Sequence, residues 1–319
     1  MNQKNSLDEN ALFEKYIEMK FPLLIPKDES PITSQPELTQ ICSEYSKKLA
    51  SFIFMHDFHE HYSEFLTIIT EILKIPLSSL SFPYQTFSSK QIPYLLIIFI
   101  KTFPGTELFF QSFRFVEILS KNEICASQFC QKKFIPLILE YIKQTASSDV
   151  QAKDVDFLML LLRILNNIFY KTSNAMIDYS QELVDILLHL FTTSGIEPIQ
   201  ELCLLILSNM LQYPQYFQAQ KLVDIIAVLQ MFMNNPAVNL ISHVLFIFHQ
   251  IAEKKFELAP LIINPSSLPI LVQLTSHECL NIRVSSLLIF ISILKIQRGN
   301  EELKLLIYQN IDFPWFANT

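Results

Sequence analysis

The densest set of metal-capable and proton-transferring side chains lies in Met55 to Tyr62, MHDFHEHY, where His56, His59 and His61 stand beside Asp57 and Glu60. On a helix, His56, His59 and Glu60 share one face, while His61 points elsewhere. A zinc helix of the HExxH kind needs its two imidazoles one turn apart with a glutamate after the first, and that order is absent. The stretch reads as the polar start of a helix. His189, His243, His249 and His277 lie near apolar helices without a ligand constellation. Nucleophile elbows and phosphate loops need clustered glycines, but the chain has three, Gly105, Gly195 and Gly299, far apart. Glu301 and Glu302 suit a helix N-terminus, where the dipole favours acids. Nothing here supports an enzyme, a cofactor or a metal site.

The remaining composition excludes further classes. Half of the 319 residues are hydrophobic and 17% are charged, so most of the chain can bury a core. The apolar runs Leu95 to Ile100 and Phe157 to Leu162 stop at Lys101 and Arg163, short of the ~20 residues a span requires. No membrane insertion is expected. The N-terminal MNQKNSLDENALFEKY carries acids where a signal peptide needs an apolar centre. Five scattered cysteines, Cys42, Cys125, Cys130, Cys203 and Cys279, contain no CxxC pair. They suit a reducing compartment, cytoplasmic or nuclear. A net charge of −7 with no basic stripe argues against nucleic acid.

Three glycines are also few for a sheet protein with tight turns, so the economical reading is an all-helical chain. Capping pairs Ser6/Glu9 and Ser34/Glu37 open helices over about Leu7–Lys20 and up to Phe54. Residues 1–25 thus form an N-terminal helix and 26–36, rich in proline, a linker or loop. Further helices are predicted over Asp57–Lys74, Gln91–Phe103 and Val155–Lys171, the last capped by Asp154. Leu77 to Ser89 reads as a connection. In TELFFQSFRFVEILS, the phenylalanines Phe109, Phe110, Phe113 and Phe115 read as filling between stacked helices, with Phe110 or Phe113 buried. The tail, residues 312–319, holds Trp315 and Phe316, which suit a cap over the end of a stack.

Stacking is suggested by a repeat. Asn167, Asn209, Gln250 and Ser292 follow one another at 42, 41 and 42 residues, each inside an apolar helix, and a fixed period of this size marks a helical array. Around Ser292 the pattern is Pro269, Leu271, Val272, Leu274, then Ile282, Ser286, Leu287, Phe290 and Ile293. It returns as Leu240, Val244, Leu245, Phe248 and Ile251, and as Ile199, Cys203, Leu204, Leu207 and Met210. Around Asn167 it is Phe157, Leu162, Leu165 and Ile168, with bulky Leu161 where a small residue is usual. These positions resemble the second and third helices of armadillo repeats, with HEAT-type packing the close alternative. The resemblance covers about residues 134–311, within a repeat domain over 37–311. It implies a right-handed α-solenoid with Asn167, Asn209, Gln250 and Ser292 along the concave face, where they could bind a peptide backbone. Two departures stand out. Pro265 and Ser266 replace the glycine usual between the first two helices. Arg163, Leu205, Phe246 and Leu288 occupy the places where importin-like members carry tryptophan. Nuclear-signal binding is weakened accordingly.

Charge adds a partner preference. From Thr172 to Glu253 there are seven acids, Asp178, Glu182, Asp185, Glu197, Glu201, Asp224 and Glu253, against one base, Lys221. Asp178, Glu182 and Asp185 share a helical face that could attract a basic segment. Two readings result: a non-enzymatic scaffold holding an extended, basic stretch of another protein in its groove, or a structural subunit packing by its ends or convex face. In the first, removing the ladder amides should weaken the partner while leaving stability within about 0.5 kcal/mol.

Overall fold

A computed structural model describes residues 35–54, 57–75, 84–131, 134–147, 152–172, 180–213, 217–295 and 301–310. The predicted N-terminal helix, most of the 26–36 linker and the 312–319 tail lie outside these residues. Every regular element among the described residues is helical. They are α1 (Gln35–Ser51), α2 (Tyr62–Leu73), α3 (Tyr84–Ser89), α4 (Ile92–Thr102), α5 (Glu107–Ser120), α6 (Glu123–Gln131), α7 (Phe134–Ser147) and α8 (Ala152–Lys171). Then come α9 (Ser180–Thr193), α10 (Glu197–Met210), α11 (Ala219–Gln230), α12 (Val238–Lys254), α13 (Ala259–Ile262), α14 (Leu268–Leu274), α15 (Leu280–Lys295) and α16 (Glu301–Asn310).

Local chemistry sets the boundaries. Thr106, in extended backbone, caps α5 by accepting from the Phe109 amide at 3.4 Å. Asn122 does the same for α6, its Oδ1 accepting from the amides of Ile124 and Cys125 at 3.1 and 3.3 Å. Pro93, Pro198, Pro260 and Pro269 sit in first turns, where a missing N–H costs nothing. Before α14, where a glycine would be usual, Asn264 Oδ1 accepts from the amides of Ser266 and Ser267 at 2.9 and 3.0 Å. A side-chain turn thus does what glycine's backbone freedom does elsewhere.

One turn is strained. Gln91, just before α4, has φ 57° without a side-chain cap, a left-handed conformation that costs an ordinary residue roughly 1–2 kcal/mol. Gln91→Gly is expected to raise stability by about 0.5–1 kcal/mol, read as a higher urea midpoint. A lowered midpoint would mean that the Gln91 side chain contributes more than its backbone costs.

Three boundaries differ from the sequence expectation. The helix predicted from Asp57 starts at Tyr62, because residues 57–61 form a bend and turn in which Asp57 Oδ1 accepts from the His59 amide at 3.0 Å. Within the supposed connection Leu77–Ser89, residues 84–89 form α3, anchored by buried Phe87. Asp154 lies inside the first turn of α8 rather than capping it.

The helices stack in rows. α2, α5, α8, α10, α12 and α15 each pack on the next, making a continuous row of third helices. α7, α9, α11 and α13 form a second row in the same way. The recurring apolar positions supply the glue. Leu204, Leu207, Val244, Leu245, Phe248, Ile282 and Phe290 are all buried, as is Leu161 despite its size. Ser286, fully buried, satisfies its hydroxyl by donating to the Ile282 carbonyl at 2.7 Å. Of the four phenylalanines on α5, Phe109, Phe113 and Phe115 are core, while Phe110 is 38% exposed.

Candidate functional site

The third-helix row carries a polar seam. Successive rungs meet as side chains reach from one helix to the helix before it, 42 or 43 residues earlier in three rungs and 47 to 50 in the first. Asn167 on α8 donates to the Glu117 carbonyl at 3.3 Å and to Ser120 Oγ at 3.1 Å on α5. Asn209 on α10 donates to Asn166 Oδ1 at 2.9 Å. Gln250 on α12, 6% exposed, accepts from Ser208 Oγ at 3.3 Å. Ser292 on α15 meets His249 Nδ1 at 3.0 Å. The four ladder residues are therefore aligned, and each is engaged with the neighbouring repeat. Their partners Asn166, Ser208 and His249 stand one place before the ladder residue of their own helix. A sequence search for single recurring polar positions passes over such a second column.

Ionic contacts flank the seam. Arg163 Nε lies 2.8 Å from Glu117 Oε1 between α8 and α5. Lys254 Nζ reaches the carbonyls of Leu211 and Gln212 at 3.4 and 3.1 Å, neutralising the C-terminal end of α10. In the second row, Glu182 pairs with Lys143 and Asp185 with Lys221, bridging α7 to α9 and α9 to α11. Asp178 lies outside the described residues. The acids of α9 thus have cations supplied by adjacent helices, a neutralisation invisible when charge is counted along one segment.

One turn before the seam, Arg163, Leu205, Phe246 and Leu288 recur as half-buried side chains. With half-buried Leu202 and Met159 and exposed Val284, they give the open face of the row a largely apolar character. Tyr170, 50% exposed, stands one turn beyond Asn166. Glu197 and Glu201 add acid at the start of α10. Burial raises the Glu201 carboxyl, a hydrogen bond from Asn239 lowers it and Glu197 raises it further.

The histidine-rich stretch does not assemble. His56 lies outside the described residues, His59 packs edge-on against Phe103 at 5.0 Å, and His61 stands 5.4 Å from Phe52 and 3.6 Å from Glu64. Among the described residues no group of three or more His, Cys, Asp or Glu side chains is placed to hold a metal. Cys42, Cys125 and Cys203 are buried thiols, pushed up to about 11, 12 and 12 by burial, which suppresses the reactive thiolate.

His243 on α12 is pushed down from 6.5 to about 4 by burial. Below pH 6.5 the unfolded chain takes a proton that folded His243 refuses until about pH 4. The stability from its neutral ring is complete above that window and is lost as pH falls through it. The loss is at most about 3.4 kcal/mol, at ~1.36 kcal/mol per pKa unit over that window. The melting temperature of the wild type should fall more steeply from pH 6.5 to 4 than that of His243→Gln; parallel profiles would exclude this assignment.

No family profile and no curated protein sequence matches this chain. Solved structures do. A designed armadillo repeat protein in complex with the peptide (KR)4 superposes with a TM-score of 0.59 at 13% identity, covering 79% of this chain and 98% of that one. A computationally designed armadillo repeat protein for modular peptide recognition gives 0.59 at 11% identity, covering 78% and 98%. An engineered protein gives 0.57 at 14% identity, covering 78% and 96%. Among the described residues, no helix is long and apolar enough to cross a membrane. With its rows of packed helices and its 42-residue polar register, the chain is an all-α solenoid with an armadillo-like helical-repeat fold.

Proposed function

We propose that the chain is a non-enzymatic scaffold that binds an extended segment of another protein along the open face of its third-helix row. The observation that carries this reading is the register of half-buried Leu205, Phe246 and Leu288, one per repeat, beside the polar seam. A ribbon laid along the row would meet an apolar contact and a polar rung at each repeat. Asn209 keeps one amide hydrogen beyond its bond to Asn166, and Asn167 keeps its carbonyl oxygen. Gln250 and Ser292 complete the seam. The designed protein that holds (KR)4 supports an extended, basic partner for a face of this architecture. The excess of acids between Thr172 and Glu253, with Glu197 and Glu201 at the start of α10, favours the same charge. Asp178 adds to that count of acids, whereas Glu182 and Asp185 are balanced by Lys143 and Lys221 and add little to the field. No tryptophan stands in the row, so nuclear-signal recognition is not part of the proposal.

The test is capture from lysate with mass spectrometry, comparing the wild type with Leu205→Arg combined with Leu288→Arg. These changes remove apolar contact and repel a basic segment. A partner held by the wild type should be lost by the variant at unchanged helicity, and its affinity should fall with added salt. Equal retention by both proteins would exclude the face.

A further inference from the structure

One rung of the third-helix row differs from the rest. One turn before the polar rungs runs a column of side chains, Glu117 on α5, then Arg163, Leu205, Phe246 and Leu288, spaced by 46, 42, 41 and 42 residues. The last three are apolar and half-buried. The first two are joined instead by an ion pair, with Arg163 Nε donating to Glu117 Oε1 at 2.8 Å. A charge pair thus stands where the rest of the column offers hydrocarbon. It is open to solvent, the Arg163 side chain being 40% exposed and that of Glu117 21%. Among the described residues, the pair and its neighbour Asn167 leave particular atoms uncommitted. Arg163 bonds through Nε alone, so the four N–H groups on its two Nη atoms have no protein acceptor. Glu117 Oε2 has no protein donor. Nor has Asn167 Oδ1, although Asn167 uses both amide hydrogens on the Glu117 carbonyl and Ser120 Oγ.

We infer, on the reading that the third-helix face binds an extended segment, that the Glu117–Arg163 rung selects a primary amide side chain of that segment, glutamine or asparagine. The chemistry of the pair favours this group over the others. A lysine or arginine would have to take Glu117 from Arg163 and would leave two cations side by side. An aspartate or glutamate would leave two carboxylates sharing one guanidinium. A leucine would cover the exposed N–H groups and supply no acceptor. A primary amide carries one acceptor oxygen and two donor hydrogens. Its oxygen accepts from Arg163 Nη and its nitrogen donates to Glu117 Oε2 or Asn167 Oδ1, so the ion pair is kept and the uncommitted atoms are used. The charge distribution agrees. From Glu107 to Lys171 there are eight bases and seven acids, a net of +1, against −6 from Thr172 to Glu253. Setting Lys143 against its partner Glu182 across that boundary keeps the contrast. The attraction for a basic stretch therefore ends before α8, and a neutral residue fits over it. Packed helices stand about 8–10 Å apart and an extended chain advances about 3.3 Å per residue, which puts the amide about three residues from the side chain over Leu205.

The probe is a phage-displayed library of random peptides of about twelve residues, enough for about four repeats, selected on the full chain. Enriched peptides are then synthesised and measured by fluorescence anisotropy. They should carry glutamine or asparagine about three residues from an apolar residue. Changing that amide to alanine should weaken binding to the wild type by about tenfold or more, the scale of a hydrogen bond to a charged group. The same change should matter less than about twofold for Glu117→Leu combined with Arg163→Leu, where the coupling is gone. Removing both partners together leaves no unpaired charge, and circular dichroism checks the fold. If that variant does not fold, the alanine comparison on the wild type still decides. Peptides that Leu205→Arg with Leu288→Arg fails to bind, but that carry a charged or apolar residue at this position or tolerate its change to alanine, would overturn the inference and leave the face standing. No enrichment, or equal binding by wild type and the Leu205→Arg, Leu288→Arg variant, would overturn the face and the inference with it.

Discussion

Phe113→Ala is expected to lower the unfolding free energy by about 3–5 kcal/mol, the usual cost of emptying a fully buried phenylalanine site. Phe113 has no accessible surface and sits within an aromatic group. Its ring centroid lies 5.0 Å from Phe109, 5.3 Å from Phe157, 5.8 Å from Tyr141 and 6.2 Å from Phe134. These rings come from α5, α7 and α8, so the cavity would open where three helices meet. Phe110, 38% exposed, touches Phe109 and Phe157 at 5.1 and 5.3 Å. Its truncation should cost about 1 kcal/mol or less, the scale of an aromatic pair. Urea denaturation of both variants checks the pair, and comparable losses would contradict the placement of Phe113 at the centre of the group.

Changing Asn167, Asn209 and Gln250 together to alanine should remove the four contacts these side chains make to preceding helices. At about 0.5–1.5 kcal/mol for each net hydrogen bond, the combined loss is about 2–6 kcal/mol. Ser208, 7% exposed, would be left without the acceptor it now uses. This differs from the expectation for solvent-facing amides, whose removal would leave stability nearly unchanged. The physical reason is that each rung spans two repeats, so the groups are part of the stacking interface. A thermal melt of the triple variant within about 0.5 kcal/mol of wild type would show that the seam contributes nothing to stacking. Measured beside partner capture, the same variant separates the two roles of the amides. Loss of partner in protein that is still fully folded at the assay temperature assigns them to binding as well.

Helical class, period and apolar register are legible in the order of the residues alone. Those follow from local rules: three glycines, helix-spaced hydrophobics, and prolines set near the starts and ends of the apolar runs. Positions such as Leu204, Leu245 and Phe290 had to be inside, because a helix with that spacing buries one face whatever it packs against. The alignment of Asn167, Asn209, Gln250 and Ser292 was likewise fixed by a period that brings equivalent points of successive helices together. What those side chains touch is set by how the helices pack. Pairing Asn209 with Asn166, Ser208 with Gln250, Glu182 with Lys143 and Asp185 with Lys221 depends on the angle and offset between helices some forty residues apart. No local spacing encodes those quantities. The same holds for the split between Phe110 and Phe113, three residues apart on α5, where the approach of α7 and α8 buries one ring and leaves the other at the edge.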